Sequence, residues 1–330
     1  MSLALEEAFM QRAICLAQYG LGKVSPNPLV GSVLAYDGRI LSEGWHREYG
    51  GAHAEGQVLS DLDLNVAEKR DATLYISLEP CAHTGKTPPC VDLILSKGIR
   101  RVRIACLDPH PLVSGRGLRK LREAGVDTEV GLCASEARDM NRRFFTFLEK
   151  RRPYIILKWT QTHTGYLAPL PLKRVNLSHS YAATLTHQWR AEEDAIWVGY
   201  RTAVIDSCQL STRHVKGKNP IRILWDKDNS LPSEHPLRGS EAKTYIYTGN
   251  LNFPEDILKD LYDKSVQSVV VEGGRATLSA FLEKGYWDEI RRFWVPKDWD
   301  KGLEAPLPKG RLREEVDVGT DRLEYWVPKD

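Results

Sequence analysis

HAEGQVLSDL at residues 53–62 and EPCAHTGKTPPC at residues 79–90 together put one histidine, one helix-opening acid and two cysteines within reach of a single cation. A hydrolytic zinc site needs three protein ligands and one open position, where the cation lowers the pKa of bound water far enough to supply hydroxide at neutral pH. His53, Cys81 and Cys90 supply the three ligands. Glu55, two residues after His53, is placed to take a proton from that water and return it to a leaving nitrogen, which is general acid and base work. A purely structural zinc site would normally be closed by a fourth ligand.

Each half of this set is weak alone, because short motifs recur by chance. Together, with the apolar strand ATLYISL between them, they fit the H-x-E and P-C-x-x-C pattern of zinc deaminases, except that eight residues rather than two separate the cysteines. The insert AHTGKTPP carries His83, Lys86 and Thr87 around Gly85, a set of donors on a turn suited to an anionic group such as phosphate. Upstream, SPNPLVG at 25–31 offers Asn27 between two prolines, a rigid amide able to read the edge of a heterocycle. Downstream, DPHPLVSGRG at 108–117 is a second polar turn at a strand end, where ligand sites of α/β folds collect.

The rest of the chain is that of a water-soluble globular protein. It has 330 residues, long enough for two domains, with 42% hydrophobic and 27% charged residues and a formal net charge of +2. No apolar run reaches membrane-span length, and the charge balance speaks against a general nucleic-acid surface. The start, MSLALEEAFMQRAICLAQYG, carries acids and helical periodicity where a secretory signal needs a basic and then an apolar segment, so a cytosolic location is expected. In that reducing compartment clustered cysteines point to metal or chemistry. Cys15, Cys106, Cys133 and Cys208 stand alone and are expected to be buried thiols.

Periodicity gives an α/β alternation in both halves, with a boundary near residue 150. In the first half the pattern predicts a helix over about 4–19, strands at LVGSVLAY, RILSEGW, ATLYISL and RVRIACL, helices at HAE, VDLILSKG and GLRKLREAG, and a long helix over 134–149. In the second it predicts strands at YIILKWT, DAIWVGY, IRILW, TYIYT and SVVVEGG and a helix over 180–190. The polar, Pro-rich segment after 296 reads as irregular surface structure with one final strand, RLEYWV.

In order along the chain, PNPLVGSVL, GWHREYGGAHAE, LYISLEPCAHTGKTPPC and DPHPLVSGRG resemble the deaminase half of a bifunctional riboflavin-biosynthesis family, the diaminohydroxyphosphoribosylaminopyrimidine deaminase and 5-amino-6-(5-phosphoribosylamino)uracil reductase. The resemblance implies a cytidine-deaminase-like domain over 1–150, zinc on His53, Cys81 and Cys90, Glu55 as proton carrier, and substrate contacts from Asn27, His46, His83, Lys86 and Asp108. His110 and Gly56 stand where the family usually has asparagine and an aliphatic residue.

For residues 151–330 the resemblance implies an NADPH-dependent reductase of dihydrofolate-reductase-like fold. HQWRAEEDAIWVGYRTAVID and LSTR carry over Arg190, Leu210 and Arg213 as substrate contacts and Thr202 and Asp206 as cofactor contacts. VVVEGGRATLSAFL carries over Glu272 for substrate and Gly273 and Gly274 for the cofactor, glycines that let backbone N–H groups approach a phosphate at a helix start. The family's S-L-D-G reads Thr162, His163, Thr164, Gly165, its tryptophan reads Asn176, and its Asp-Asp-Pro or Asp-Asn-Pro reads Asp206, Ser207, Cys208. A domain that binds NADPH but reduces slowly is the expectation, against the alternative of a decayed, non-catalytic scaffold. The expected partner is a small phosphorylated pyrimidine, with no nucleic acid and no membrane, and the chain is expected to assemble as a homo-oligomer.

Overall fold

A computed structural model describes residues 2–83, 88–110 and 114–329. The chain divides into two units, 1–150 and 151–330. The first holds α1 (Leu3–Gln18), β1 (Gly31–Tyr36), β2 (Arg39–Trp45), α2 (Ala54–Leu59), α3 (Val66–Asp71), β3 (Thr73–Ile76), α4 (Cys90–Ser96), β4 (Arg101–Ile104), α5 (Arg116–Glu123), β5 (Asp127–Val130), α6 (Ala134–Met140) and α7 (Arg142–Lys150).

Its five strands lie in the order β2-β1-β3-β4-β5. β1 is antiparallel to β2 and β3, while β3, β4 and β5 run parallel. Parallel strands covered on both faces read as near-continuous apolar runs, and β3 is buried throughout. Tyr75 faces the cluster built by α1, α6 and α7. Leu74 and Ile76 face the cluster of α2, α4 and α5.

The helix expected over 134–149 is two helices, because Asn141 at the break turns its side chain to the chain around Leu29. Its Oδ1 accepts from Leu29 N–H and its Nδ2 donates to Leu29 O, both at 2.8 Å. Two short elements had no apolar pattern to announce them. α3 buries none of its residues and is held by a capping box between Asn65 and Glu68. β5 is a largely exposed edge strand.

The second unit holds β6 (Tyr154–Thr162), β7 (Tyr166–Pro169), α8 (Ser180–Glu192), β8 (Ala195–Gly199), α9 (Tyr200–Asp206), β9 (Ile221–Trp225), β10 (Thr244–Tyr247), α10 (Glu255–Asp263), β11 (Ser268–Val271), α11 (Arg275–Lys284), β12 (Glu289–Val295), β13 (Gly302–Glu304), β14 (Arg311–Val318) and β15 (Asp321–Val327). Eight strands form one sheet in the order β10-β9-β8-β11-β6-β12-β15-β14. The first six run parallel, and β15 is inserted antiparallel between β12 and β14. Seven of the eight strands share one direction and β15 alone runs against them, a mixed sheet in keeping with the dihydrofolate-reductase-like expectation.

α10 and α11 cover one face, where Phe281 meets Trp197 edge-on at 5.3 Å. Both rings are at most 1% exposed, so Phe281→Ala would cost about 3–5 kcal/mol. The segment after 296 is not irregular throughout. β13 pairs with β7, and β14 is an eight-residue edge strand whose sequence RLREEVDV is exposed along nearly its whole length. With neither face fully covered, no alternation marks it. Cys15 is exposed rather than buried, Cys133 and Cys208 are half-buried, and Cys106 is buried as expected. Among the described residues no helix is long and apolar enough to cross a membrane.

Candidate active sites in the two units

In the first unit the polar loops gather where the parallel strands β3 and β4 end. His53 is the residue just before α2, Cys81 follows β3 by a short turn, and Cys90 is the first residue of α4. One ligand atom from each lies within 4.8 Å of the other two. His53 Nδ1 is 3.3 Å from Cys90 Sγ and 3.6 Å from Cys81 Sγ. Zn–N and Zn–S bonds of ordinary length, set tetrahedrally, require about 3.5 Å between such atoms. The donor set therefore fits zinc, and among the described residues no fourth ligand joins it.

The electrostatics agree with a thiolate site. The Cys81 thiol falls to about 4, chiefly through the hydrogen bond with Cys90 and then His53, against the opposing effect of burial. Cys90 moves up, because it shares a proton with Cys81 and is buried beside Glu55. The Cys90 backbone N–H also donates to Cys81 Sγ at 3.3 Å. Glu55 is 3% exposed. Burial raises its pKa most, and the charge of Cys81 raises it further.

Asn27 and His46 stand beside the metal ligands. The Asn27 amide is 3.1 Å from His46 Nε2, and His46 Nδ1 is 3.0 Å from Ala52 O. These partners fix a neutral ring that donates from Nδ1 and accepts at Nε2, with burial lowering the pKa. The His46 and His53 rings meet edge to face at 5.4 Å. Asp108 is buried, its pKa raised first by burial and also by Glu79, with His110 and His83 opposing. His110 N–H donates to Asp108 Oδ1 at 2.7 Å. His83 is exposed. Lys86 lies outside the described residues.

In the second unit the site residues collect at the ends of β6, β8 and β11. Arg190 of α8 donates to Glu272 Oε2 at 2.9 Å and to Ser211 O at 3.2 Å. Arg190 Nε and Glu272 Oε1 are buried with no hydrogen-bond partner among the described residues. Glu272 is drawn down to about 2: burial opposes this, and the charges of Arg190 and Lys158 outweigh it. Gly273 and Gly274 open α11, and the backbone is tight there. A Cβ on Gly199 would come within 2.5 Å of Thr277 Oγ1, and one on Gly274 within 3.0 Å of Thr202 Oγ1.

The remaining expected contacts are more dispersed. Leu210 is buried with φ +53°. Arg213 donates its backbone N–H to His187 Nδ1, and its guanidinium donates to Gln209 and Ser211. Asp206, at the end of α9, has Arg174 as the cation acting on it. Thr164, where the resemblance places an acid, instead exchanges hydrogen bonds with the Trp299 backbone, accepting at 3.1 Å and donating at 3.2 Å. Asn176 offers its carbonyl to Lys297 at 3.3 Å.

Three residues of this site were not marked in the sequence. Lys158 interrupts the apolar strand YIILKWT, a readable signal, and burial lowers its pKa while Glu272 supports its charge. His187 lies three residues before Arg190 on the same helix face, and its pKa falls to about 4 through burial and then Arg190. Thr277 had no signal, since its role comes from packing against Gly199 and Gly273.

Comparison with known proteins follows the same division. Residues 4–106 match the family model for the cytidine and deoxycytidylate deaminase zinc-binding region, and residues 153–298 match that for the RibD C-terminal domain. Riboflavin biosynthesis protein RibD of Aquifex aeolicus is 38% identical, the alignment covering 97% of this chain and 95% of that one. The Escherichia coli RibD is 30% identical over 96% of this chain and 97% of its own. A Thermotoga maritima crystal structure titled diaminohydroxyphosphoribosylaminopyrimidine deaminase/5-amino-6-(5-phosphoribosylamino)uracil reductase superposes with a TM-score of 0.90, at 32% identity and 99% coverage of both chains. Acinetobacter baumannii RibD gives 0.91 at 28% identity, with 100% of both chains covered.

Fold and site together define a bifunctional α/β enzyme, a zinc deaminase of the cytidine-deaminase type joined to a reductase. The chain belongs to the RibD family of riboflavin biosynthesis, in which the deaminase uses zinc and the reductase NADPH.

Proposed function

We propose that residues 1–150 hydrolytically deaminate 2,5-diamino-6-(5-phosphoribosylamino)pyrimidin-4(3H)-one and that residues 151–330 reduce the ribosyl group of the resulting 5-amino-6-(5-phosphoribosylamino)uracil with NADPH. The observation that carries the first step is the meeting of His53, Cys81 and Cys90 ligand atoms within 4.8 Å, with the buried Glu55 two residues from His53. When bound there, zinc acts as a Lewis acid that makes hydroxide accessible at neutral pH. Glu55 moves the proton. Its raised pKa suits a carboxyl group that takes a proton from water and gives it to departing ammonia. Asn27, oriented by the neutral His46, reads the ring edge, and Asp108 and His83 hold the sugar side. Lys86 is assigned to the phosphate.

In the reductase, NADPH supplies the hydride. The Gly273–Gly274 turn and Thr202 hold its phosphates at the start of α11, while Asp206 holds another part of the cofactor. Arg190 and Glu272 grip the sugar chain, and their unused Nε and Oε1 atoms support that role. A buried pair with one unmade hydrogen bond on each partner is costly unless a ligand completes it. Leu210 and Arg213 complete the substrate side. Free cysteines and a thiolate metal site suit a cytosolic enzyme, and a homo-oligomer is part of the same proposal, to be tested by light scattering.

The test is purified protein with the phosphorylated diaminopyrimidinone, products resolved with and without NADPH. Ammonia release without NADPH, followed by consumption of NADPH and the uracil when it is added, is the expected result. Ammonia release with no NADPH oxidation would establish the scaffold reading of the second unit instead.

A further inference from the structure

Glu79, the acid of the EPC motif, is neither a metal ligand nor one of the substrate contacts named above, yet its carboxylate is among the most heavily bonded in the first unit. It is 5% exposed and accepts from four backbone N–H groups. Oε2 receives those of Asp108 at 3.3 Å and Gly115 at 2.9 Å, and Oε1 those of Gly117 at 3.0 Å and Leu118 at 3.2 Å. All four donors belong to the loop leaving β4 and the first turn of α5.

The backbone of the same residue is tied to the chain leaving β4 as well. Glu79 N–H donates to Cys106 O at 3.0 Å. The next carbonyl, that of Pro80, lies against Gly117 so closely that a Cβ there would come within 2.1 Å of the oxygen. Cys81 follows immediately. A single residue thus links the metal-ligand turn, through its main chain, to the loop bearing Asp108, through its side chain. Four donors need two acceptor oxygens. A carboxylate has them, whereas a glutamine has one and would turn its own NH2 toward two N–H groups.

We propose that Glu79 is a positioning residue for deamination, holding Asp108 and the Gly115–Leu118 start of α5 in register with Cys81 so that Asp108 meets the substrate. This rests on the deaminase reading above. Glu79→Gln and Glu79→Asp, the second keeping charge but lacking reach, are tested in the full-length zinc enzyme with the phosphorylated diaminopyrimidinone. Both are expected to keep one zinc per chain, to raise KM by about tenfold or more and to lower kcat by less than about threefold. In an Asp108→Ala background, Glu79→Gln adds no further loss, because the two act as one unit. Amide hydrogen exchange at Asp108 and Gly115 speeds up in Glu79→Gln, with the β3 amides unchanged. A general structural role would instead remove zinc or lower kcat and stability together, and that result overturns the proposal. So does an unchanged KM in both variants, or losses that multiply with Asp108→Ala. No ammonia release from the wild type would refute the deaminase reading itself, whereas normal wild-type turnover with unaltered variants sinks only the positioning role.

Discussion

Replacing Glu272 with glutamine changes the second unit by one charge and almost no volume. Its carboxyl sits between Arg190 and Lys158 with 15% of its side chain exposed, against 11% for Arg190. Burial by itself would raise its pKa, but the cations draw it from 4.5 down to about 2. That difference corresponds to about 3 kcal/mol of stability. A depressed folded pKa contributes stability that is fully present above pH 4.5 and is lost as pH falls toward 2, with roughly half gone by pH 3. Glu272→Gln should therefore destabilise the second unit by about 3 kcal/mol at pH 7, leaving Arg190 and Lys158 facing each other without a counter-charge. At pH 3 the gap between wild type and variant should be about half as large. Eight of the nine tryptophans lie beyond residue 150, all but Trp45, so intrinsic fluorescence during urea unfolding reports mainly on this unit. A loss under about 1 kcal/mol at pH 7, or a gap that does not change between pH 7 and pH 3, would refute the assignment of Glu272 as a buried anion held by two cations.

Other expectations follow from the two sites. Cys81→Ser should remove zinc and deamination together, measured by metal analysis and ammonia release. Glu55→Gln should keep the metal and slow deamination by about 10²–10⁴-fold; near-normal turnover would show that another group carries the proton. Lys86→Ala should weaken the phosphorylated substrate by about 1.5–3 kcal/mol and leave a dephosphorylated analogue nearly unaffected, read by inhibition constants. NADPH should bind saturably while reduction runs slowly, and Thr164→Asp, which cannot donate to the Trp299 carbonyl, should alter the rate of reduction more than the affinity for NADPH measured by fluorescence titration.

The metal set was legible because it is local: His53 and Glu55 share one helix start, and Cys81 and Cys90 share one loop. Most strands of both sheets were legible for a related reason, since covered strands such as β3 and β11 leave continuous apolar runs in the sequence. β12 was not, because three of its seven residues are charged. Arg291 bonds Glu289, and Arg292 bonds Glu324, so the strand buries charges that a hydropathy pattern reads as surface. β14 fails in the opposite way, being a strand with little to bury. Glu79 and Thr277 escape because their partners are 29 to 39 residues away in the first case and 78 residues away, at Gly199, in the second. No spacing rule reaches that far.

The clip between Asn141 and Leu29 bears on how this enzyme can be cut and recombined. Residues 4–106 contain the whole metal set, and a fragment ending there would look sufficient as a transplantable catalyst. Yet the chain that presents Asn27 is held two residues away by a side chain 112 positions downstream. Such a fragment would lack that tie together with α5, α6 and α7, which pack on the two faces of the sheet, so it would lose part of its core as well as the anchor of its recognition loop. Chimaeras that exchange deaminase units should therefore be joined after residue 150, and libraries that vary Asn27 should carry Asn141 unchanged.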